Sequence, residues 1–137
     1  MIKLPQILLV DDDDTTNFLN ELLFKKLNVT DHVRTAYTGE EALKMLTQDP
    51  PYEPTLLLLD VNMPGMGGIE FLDAYQRLPQ AQQDATVIVM LTTSMDARDL
   101  SRLNDLPIAG LISKPLTREK IETLLQLHFQ LQLPSGE

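Results

Sequence analysis

The chain predicts an α/β fold: a doubly wound, five-stranded parallel sheet wrapped by helices on both faces. Short apolar runs alternate strictly with segments of helical periodicity, five of each, and parallel strands joined by right-handed crossovers need that alternation. Three of the runs, at 6–10, 55–59 and 86–91, are apolar without a polar partner at every second position, as strands covered on both faces are. The length, 137 residues, holds ten such elements, too few for an eight-fold barrel. The smaller doubly wound sheet has strand order 2-1-3-4-5, and its crevice opens between strands one and three at their carboxyl ends.

Each element has its own signal. Gln6-Ile-Leu-Leu-Val10 is the first strand, and a helix over 15–27 follows, with Phe18, Leu19, Leu22, Leu23 and Leu27 at helical spacing. The run at 32–36 alternates, as an edge strand does. A helix over 40–47 opens on Thr38-Gly-Glu-Glu41, a capping box in which the Thr38 oxygen accepts from a first-turn N–H and Glu41 reaches back. Asp49-Pro-Pro-Tyr-Glu-Pro54 is a rigid loop, since proline bars both helix and ladder. The strand at 55–59 leads to a helix over 68–78, and the strand at 86–91 to a helix over 95–106. The last strand, 108–112, precedes a helix over 117–131 with Ile121, Leu124, Leu125 and Leu127 on one side.

A hydrophobic content of 43% suffices for one domain without covalent staples. We place that domain at 5–131, between a short amino-terminal extension at 1–4 and a tail at 132–137. The absence of cysteine excludes thiol nucleophiles, disulfides, Cys-based zinc sites and iron–sulfur clusters, and it fits a reducing compartment. Twenty acidic residues against eleven basic ones give a net charge of −9, which repels nucleic acid and anionic membranes alike. No apolar run approaches the roughly 20 residues of a membrane span, and no basic segment leads into a signal-peptide core. These features predict a cytoplasmic protein that binds neither nucleic acid nor membrane.

The predicted rim of the sheet collects chemistry. Strand one runs into Asp11-Asp-Asp-Asp14, strand three into Asp60, strand four into Leu91-Thr-Thr-Ser94 and strand five into Ser113-Lys-Pro115. Ionised carboxylates about 4–5 Å apart repel by a few kcal/mol per pair even at an effective dielectric near 20, so such a cluster needs a cation. Mg²⁺, a hard ion held by one or two carboxylates and inclined to bridge to phosphoryl oxygen, suits it. Lys114 adds a fixed positive charge, and the Thr92 hydroxyl can donate to an oxygen of a group carried on Asp60. A carboxylate nucleophile with a metal, a lysine and a hydroxyl can receive a phosphoryl group by positioning and charge neutralisation alone.

Other polar residues have plainer readings. Asp13 and Asp14 precede the first helix and suit its cap and dipole. An EF-hand is excluded: loops starting at Asp11 or Asp12 put Thr16 or Asn17 at the glycine position and Leu22 or Leu23 at the final glutamate position. Gly65, Gly67 and Gly68 read as turn residues, His128 as a polar helix position, and His32 as remote from the rim.

Taken together, Val10-Asp-Asp12, Leu59-Asp-Val-Asn-Met-Pro-Gly-Met-Gly-Gly68, Leu91-Thr92 and Ser113-Lys-Pro115 resemble the receiver domain of two-component response regulators, in its stand-alone chemotaxis-regulator-like form. The resemblance covers about residues 5–131 and implies a flavodoxin-like sheet. It implies that Asp60 is the phosphoacceptor and that Asp12 contacts Mg²⁺ directly. Asp11 would act mainly through water, and the backbone carbonyl of Asn62 would complete the protein ligands. Thr92 and Lys114 match the family's phosphoryl-sensing hydroxyl and lysine, and the Lys114–Pro115 bond is expected to be cis. The donor would be a sensor histidine kinase or a histidine phosphotransfer protein, docking on the first helix around Phe18 and Leu22 and on the Pro115-Leu116 loop. The protein would catalyse its own phosphorylation and dephosphorylation rather than act as an enzyme on others. With the length filled by one such domain, the signal is expected to leave through a changed surface that binds a downstream protein.

Two positions depart from the family. Leu111 stands where relatives carry an aromatic switch residue, so output is expected through the helix at 95–106, around Met95, or the protein relays phosphoryl groups. Thr93 is bulkier than the usual Gly or Ala, which predicts slow loss of phosphate. Two alternatives compete. Asp11-Asp-Asp-Asp-Thr15 also matches the Asp-x-Asp-x-Thr motif of haloacid-dehalogenase-type phosphohydrolases, with Asp11 as nucleophile and Asp13 as general acid. That family needs an acidic motif after the lysine, where only Glu119, Glu122 and Glu137 occur, and it has no use for Asp60-Val-Asn-Met-Pro. The other alternative is a receiver-like binding module that is never phosphorylated.

Overall fold

The structure, a computed structural model, describes residues 4–47, 54–61, 66–92 and 108–129. The chain runs β1 (Gln6–Val10), α1 (Asp14–Leu27), β2 (Val33–Ala36), α2 (Gly39–Leu46), β3 (Thr55–Asp60), α3 (Gly68–Tyr75), α4 (Gln80–Asp84), β4 (Thr86–Thr92), β5 (Gly110–Ser113) and α5 (Arg118–Phe129). The five strands form one sheet in the order β2-β1-β3-β4-β5, with every neighbouring pair parallel. This is the doubly wound order that the alternation predicts.

The apolar runs are continuous because successive side chains point to opposite faces and both faces are covered. Ile7, Leu9, Leu56, Leu58, Val89 and Leu91 pack on one side with Phe24 and Leu27 of α1 and Ile121, Leu124 and Leu125 of α5. Leu8, Val10, Leu57, Leu59, Ile88 and Met90 pack on the other with Ala42 and Leu46 of α2 and Phe71, Leu72 and Tyr75 of α3. Every residue of β3 is buried, as befits the central strand.

Register sets the rim. Val10 pairs with Leu59, Asp60 with Leu91, and Thr92 with Ser113. Asp11 thus follows β1 beside the end of β3, Thr92 lies one residue beyond the partner of Asp60, and Lys114 one beyond the partner of Thr92. Backbone bonds carry the ladder past the strand ends: Asp11 N–H donates to Ala36 O at 3.1 Å, Val61 N–H to Leu91 O at 3.2 Å and Lys114 N–H to Thr92 O at 2.8 Å.

Several elements differ from expectation. In α1 the buried stripe is Asn17, Asn20, Phe24 and Leu27, whereas Phe18, Leu19 and Leu22 are 62%, 55% and 52% exposed. The apolar residues of this helix therefore spread over two faces, only one of which meets the sheet. α3 stops at Tyr75 instead of 78, because Arg77 and Leu78 donate to Ala74 and Tyr75 and tighten the chain into i→i+3 turns. Pro79 then caps α4, a short helix whose Gln-Ala-Gln-Gln-Asp sequence has no apolar periodicity to announce it. β5 begins two residues later than predicted, and Ala109 N–H instead donates to Ile88 O at 2.7 Å. The Thr38 half of the predicted cap is present, its hydroxyl accepting from Glu41 N–H at 3.1 Å. The expected helix at 95–106, residues 130–131 of the last helix and most of the 49–54 loop lie outside the described residues. Among the described residues no helix is long and apolar enough to cross a membrane.

Candidate functional site

At the carboxyl ends of β1 and β3 the side chains of Asp11, Asp12 and Asp60 converge, with one carboxylate oxygen from each lying within 4.8 Å of the others. Asp11 and Asp60 are buried and Asp12 is exposed. The strands produce this arrangement: a doubly wound sheet reverses its order between its first and third strands, leaving a crevice that their ends line.

The β1–α1 turn is tied down atom by atom. The Asp11 carboxylate accepts from Asp13 N–H at 2.9 Å through Oδ1, and its main-chain carbonyl accepts from Asn17 Nδ2 at 2.8 Å. Asp13 is the N-cap of α1, accepting from Thr15 N–H at 3.1 Å and from the Thr16 hydroxyl at 2.7 Å. Those bonds, led by the Thr16 hydroxyl, hold its carboxyl below the ordinary range. Asp14 opens the helix in the first turn, where the dipole favours a negative charge. A carboxylate engaged and kept ionised in this way is unsuited to be the general acid that the phosphohydrolase alternative asks of Asp13.

Lys114 crosses the crevice. Its Nζ lies 2.9 Å from Asp11 Oδ2 and 3.2 Å from Asp60 Oδ1. Burial works against its charge, but the hydrogen bond to Asp11 and the charges of Asp11 and Asp60 outweigh that and hold the ammonium above its ordinary pKa. Thr92, buried at the end of β4, completes the rim. The Lys114–Pro115 peptide is cis, as the resemblance implies.

The site fits a divalent cation. Three carboxylates facing one ammonium leave a net charge of −2, and at 4.8 Å each carboxylate pair repels by about 3 kcal/mol at an effective dielectric near 20. An all-oxygen donor set of this charge suits Mg²⁺ rather than a softer metal.

Asn62, Gly65, Thr93 and Met95 lie outside the described residues. Leu111 is 41% exposed on β5 and lines, with Leu127 and His128, an apolar cavity of about 400 Å³ against α5. The expectation that Leu116 faces a partner is corrected: it is buried in the core, while Pro115 beside it is exposed. His32 sits at the opposite end of the sheet, its carbonyl accepting from Ile7 N–H at 2.9 Å. Asn17 escaped the sequence reading. Its signal was a polar residue on the stripe that continues through Asn20, Phe24 and Leu27, six positions after Asp11.

Comparison with known proteins agrees with this geometry. The family of the response regulator receiver domain matches residues 7–126. The "Probable chemotaxis protein CheY" of Rhizobium etli is 31% identical over 124 residues, which cover 90% of this chain and 92% of that protein. The "Probable C4-dicarboxylate response regulator DctR" of Halalkalibacterium halodurans is 27% identical across 88% of this chain, which spans about half (49%) of that longer protein. A two-component response regulator from Cytophaga hutchinsonii superposes with a TM-score of 0.82 at 26% identity, covering 94% of this chain and 99% of its own. The chemotaxis protein CheY4 of Vibrio cholerae superposes with a TM-score of 0.75 at 28% identity, covering 90% and 98%. With the family match running through both halves of the acidic rim and on to α5, the chain belongs to the response regulator receiver family.

Proposed function

We propose that this protein is a single-domain response regulator, its domain spanning 5–131, that accepts a phosphoryl group on Asp60. The observation that carries this reading is the meeting of three carboxylates with Lys114 at the crevice. A carboxylate oxygen of Asp60 attacks phosphorus, a P–O bond forms, and the bond from phosphorus to the donor imidazole nitrogen breaks. Asp11, Asp12, Asp60 and the backbone carbonyl of Asn62 would hold Mg²⁺, which when bound supplies charge neutralisation for the phosphoryl oxygens. Lys114 donates to one phosphoryl oxygen and the Thr92 hydroxyl to another, so no general base is required. Release of Lys114 from Asp11 toward the phosphoryl group, and movement of Thr92 with the β4 end, bias the surface that a downstream protein reads.

The donor is a sensor histidine kinase or histidine phosphotransfer protein, met by this protein in the cytoplasm. Its dock is α1, where Phe18, Leu19 and Leu22 stand exposed next to the Asp11–Asp14 turn. Incubation with acetyl phosphate and Mg²⁺, followed by peptide mapping of the acyl phosphate, tests the assignment. Label on Asp60 is expected. Label on Asp11 would favour the phosphohydrolase reading, and no label at all the unphosphorylated binding module.

A further inference from the structure

Lys114 owes its reach to the connection between β5 and α5, and that connection lies at an open edge of the sheet, since β5 is the last strand. On the inner side Lys114 N–H is held by Thr92 O at 2.8 Å. On the outer side a side chain takes over. Lys120, in the first turn of α5, donates from Nζ to Ser113 O at 2.7 Å, to Pro115 O at 2.9 Å and to Ser113 Oγ at 3.3 Å. An ammonium has three protons, and three acceptors are in place; the two carbonyls belong to the residues immediately before and after Lys114.

The position of this charge is otherwise hard to justify. The first turn of a helix is the positive end of its dipole, where a cation is unfavourable. Thr117 already accepts from Lys120 N–H at 3.3 Å, so the helix start has a hydroxyl cap without help from the ammonium. Neither acceptor carbonyl belongs to α5, so the ammonium acts on the incoming strand and loop rather than on its own helix.

We propose that Lys120 is a positioning residue that clamps the backbone on both sides of Lys114 and so holds the Lys114 ammonium against Asp11 and Asp60. The proposal rests on the reading of Asp60 as phosphoacceptor for its kinetic consequence, but not for its geometric one. Without the clamp, Lys114 must be ordered anew each time it meets the phosphoryl group, and misplacement by an ångström or less is enough to slow a positioned reaction substantially.

The test combines kinetics with a direct readout of Lys114. Phosphorylation of the full chain by acetyl phosphate with Mg²⁺ is measured for wild type, Lys120→Met, Lys114→Ala and the double variant. Lys120→Met is expected to lower the rate about 10-fold in the wild-type background and by less than about twofold when Lys114 is already alanine. Equal factors in both backgrounds would mean that Lys120 supports the domain in general, and would overturn the proposal. Lys120→Arg, which keeps a cationic donor, is expected to recover much of the rate. Lys120→Gln, a neutral amide with two donors, should fall between, and it serves if Lys120→Met fails to fold. In parallel, the ¹⁵N signal of the Lys114 ammonium, slowed in exchange by its carboxylate partners, should persist in Lys120→Arg and disappear in Lys120→Met. Its persistence in folded Lys120→Met overturns the proposal whether or not Asp60 takes up phosphate. A wild type that takes up none contradicts the phosphoacceptor reading instead, and leaves the ammonium signal to judge Lys120.

Discussion

Lys114 holds two buried carboxylates, and its single charge leaves the group of Asp11, Asp12 and Asp60 two charges short of neutral. That imbalance is a stability cost whenever no cation is bound. Asp12→Asn removes one carboxylate from the group. It is therefore expected to raise stability by about 1 kcal/mol in chelator and to shrink the gain in unfolding midpoint that wild type shows on adding Mg²⁺. Urea titrations with and without Mg²⁺ measure both; a variant less stable than wild type in chelator would contradict the repulsion. Lys114 also predicts an alkaline limb. Its pKa is raised on folding, so its contribution is complete below the ordinary lysine value and is lost as pH rises through the folded one. Tyr75, raised by burial, is lost in the same direction. Unfolding midpoints followed from about pH 9 to about pH 12 should fall less steeply in Lys114→Met, leaving the share of Tyr75.

Elements explain why these residues meet. β3 delivers Asp60, and Gly68 at the start of α3 packs against the end of that strand. A Cβ on Gly68 would lie 2.9 Å from Asp60 O, 3.0 Å from Val61 Cα and 3.1 Å from the Met90 methyl, two of them backbone atoms that cannot swing away. Gly68→Ala is expected to cost about 1–3 kcal/mol and to slow labelling of Asp60, measured by denaturation and acetyl phosphate kinetics. Element type and order were legible from the sequence because β1, β3 and β4 are covered on both faces and read as unbroken apolar runs. The orientation of α1 was not. Phe18, Leu19 and Leu22 recur at helical spacing as core residues do, yet the sheet takes the stripe of Asn17, Phe24 and Leu27, since Asn17 is needed to hold the Asp11 carbonyl. The exposed patch that results gives a prediction of its own. Leu22→Asp should slow phosphotransfer from a cognate phosphohistidine donor about 10-fold or more and leave labelling by acetyl phosphate within about twofold, because a buried apolar anchor is worth several kcal/mol at an interface. Equal loss with both donors would remove α1 as the docking face.

At the scale of the whole molecule, part of the chain's acidity is gathered at the crevice. Asp11 and Asp12 follow β1 and Asp60 ends β3, and the parallel order β2-β1-β3-β4-β5 is what brings the two strand ends to one crevice. The site was readable because its residues lie at strand ends, where register converts sequence position into spatial position. The clamp at Lys120 was not, because a side chain that reaches back onto carbonyls leaves no trace in residue type. The short α4 was also missed, since Gln83 secures it through its amide to Leu78 O at 2.8 Å rather than through an apolar face. Phosphoryl uptake on Asp60 is read most directly from the intact mass of wild type and Asp60→Asn after exposure to acetyl phosphate, with Mg²⁺ and with chelator. A gain of one phosphoryl group is expected in wild type with Mg²⁺ and none in the other three samples. A phosphoryl group on Asp60→Asn, or one on wild type that is indifferent to Mg²⁺, would contradict it.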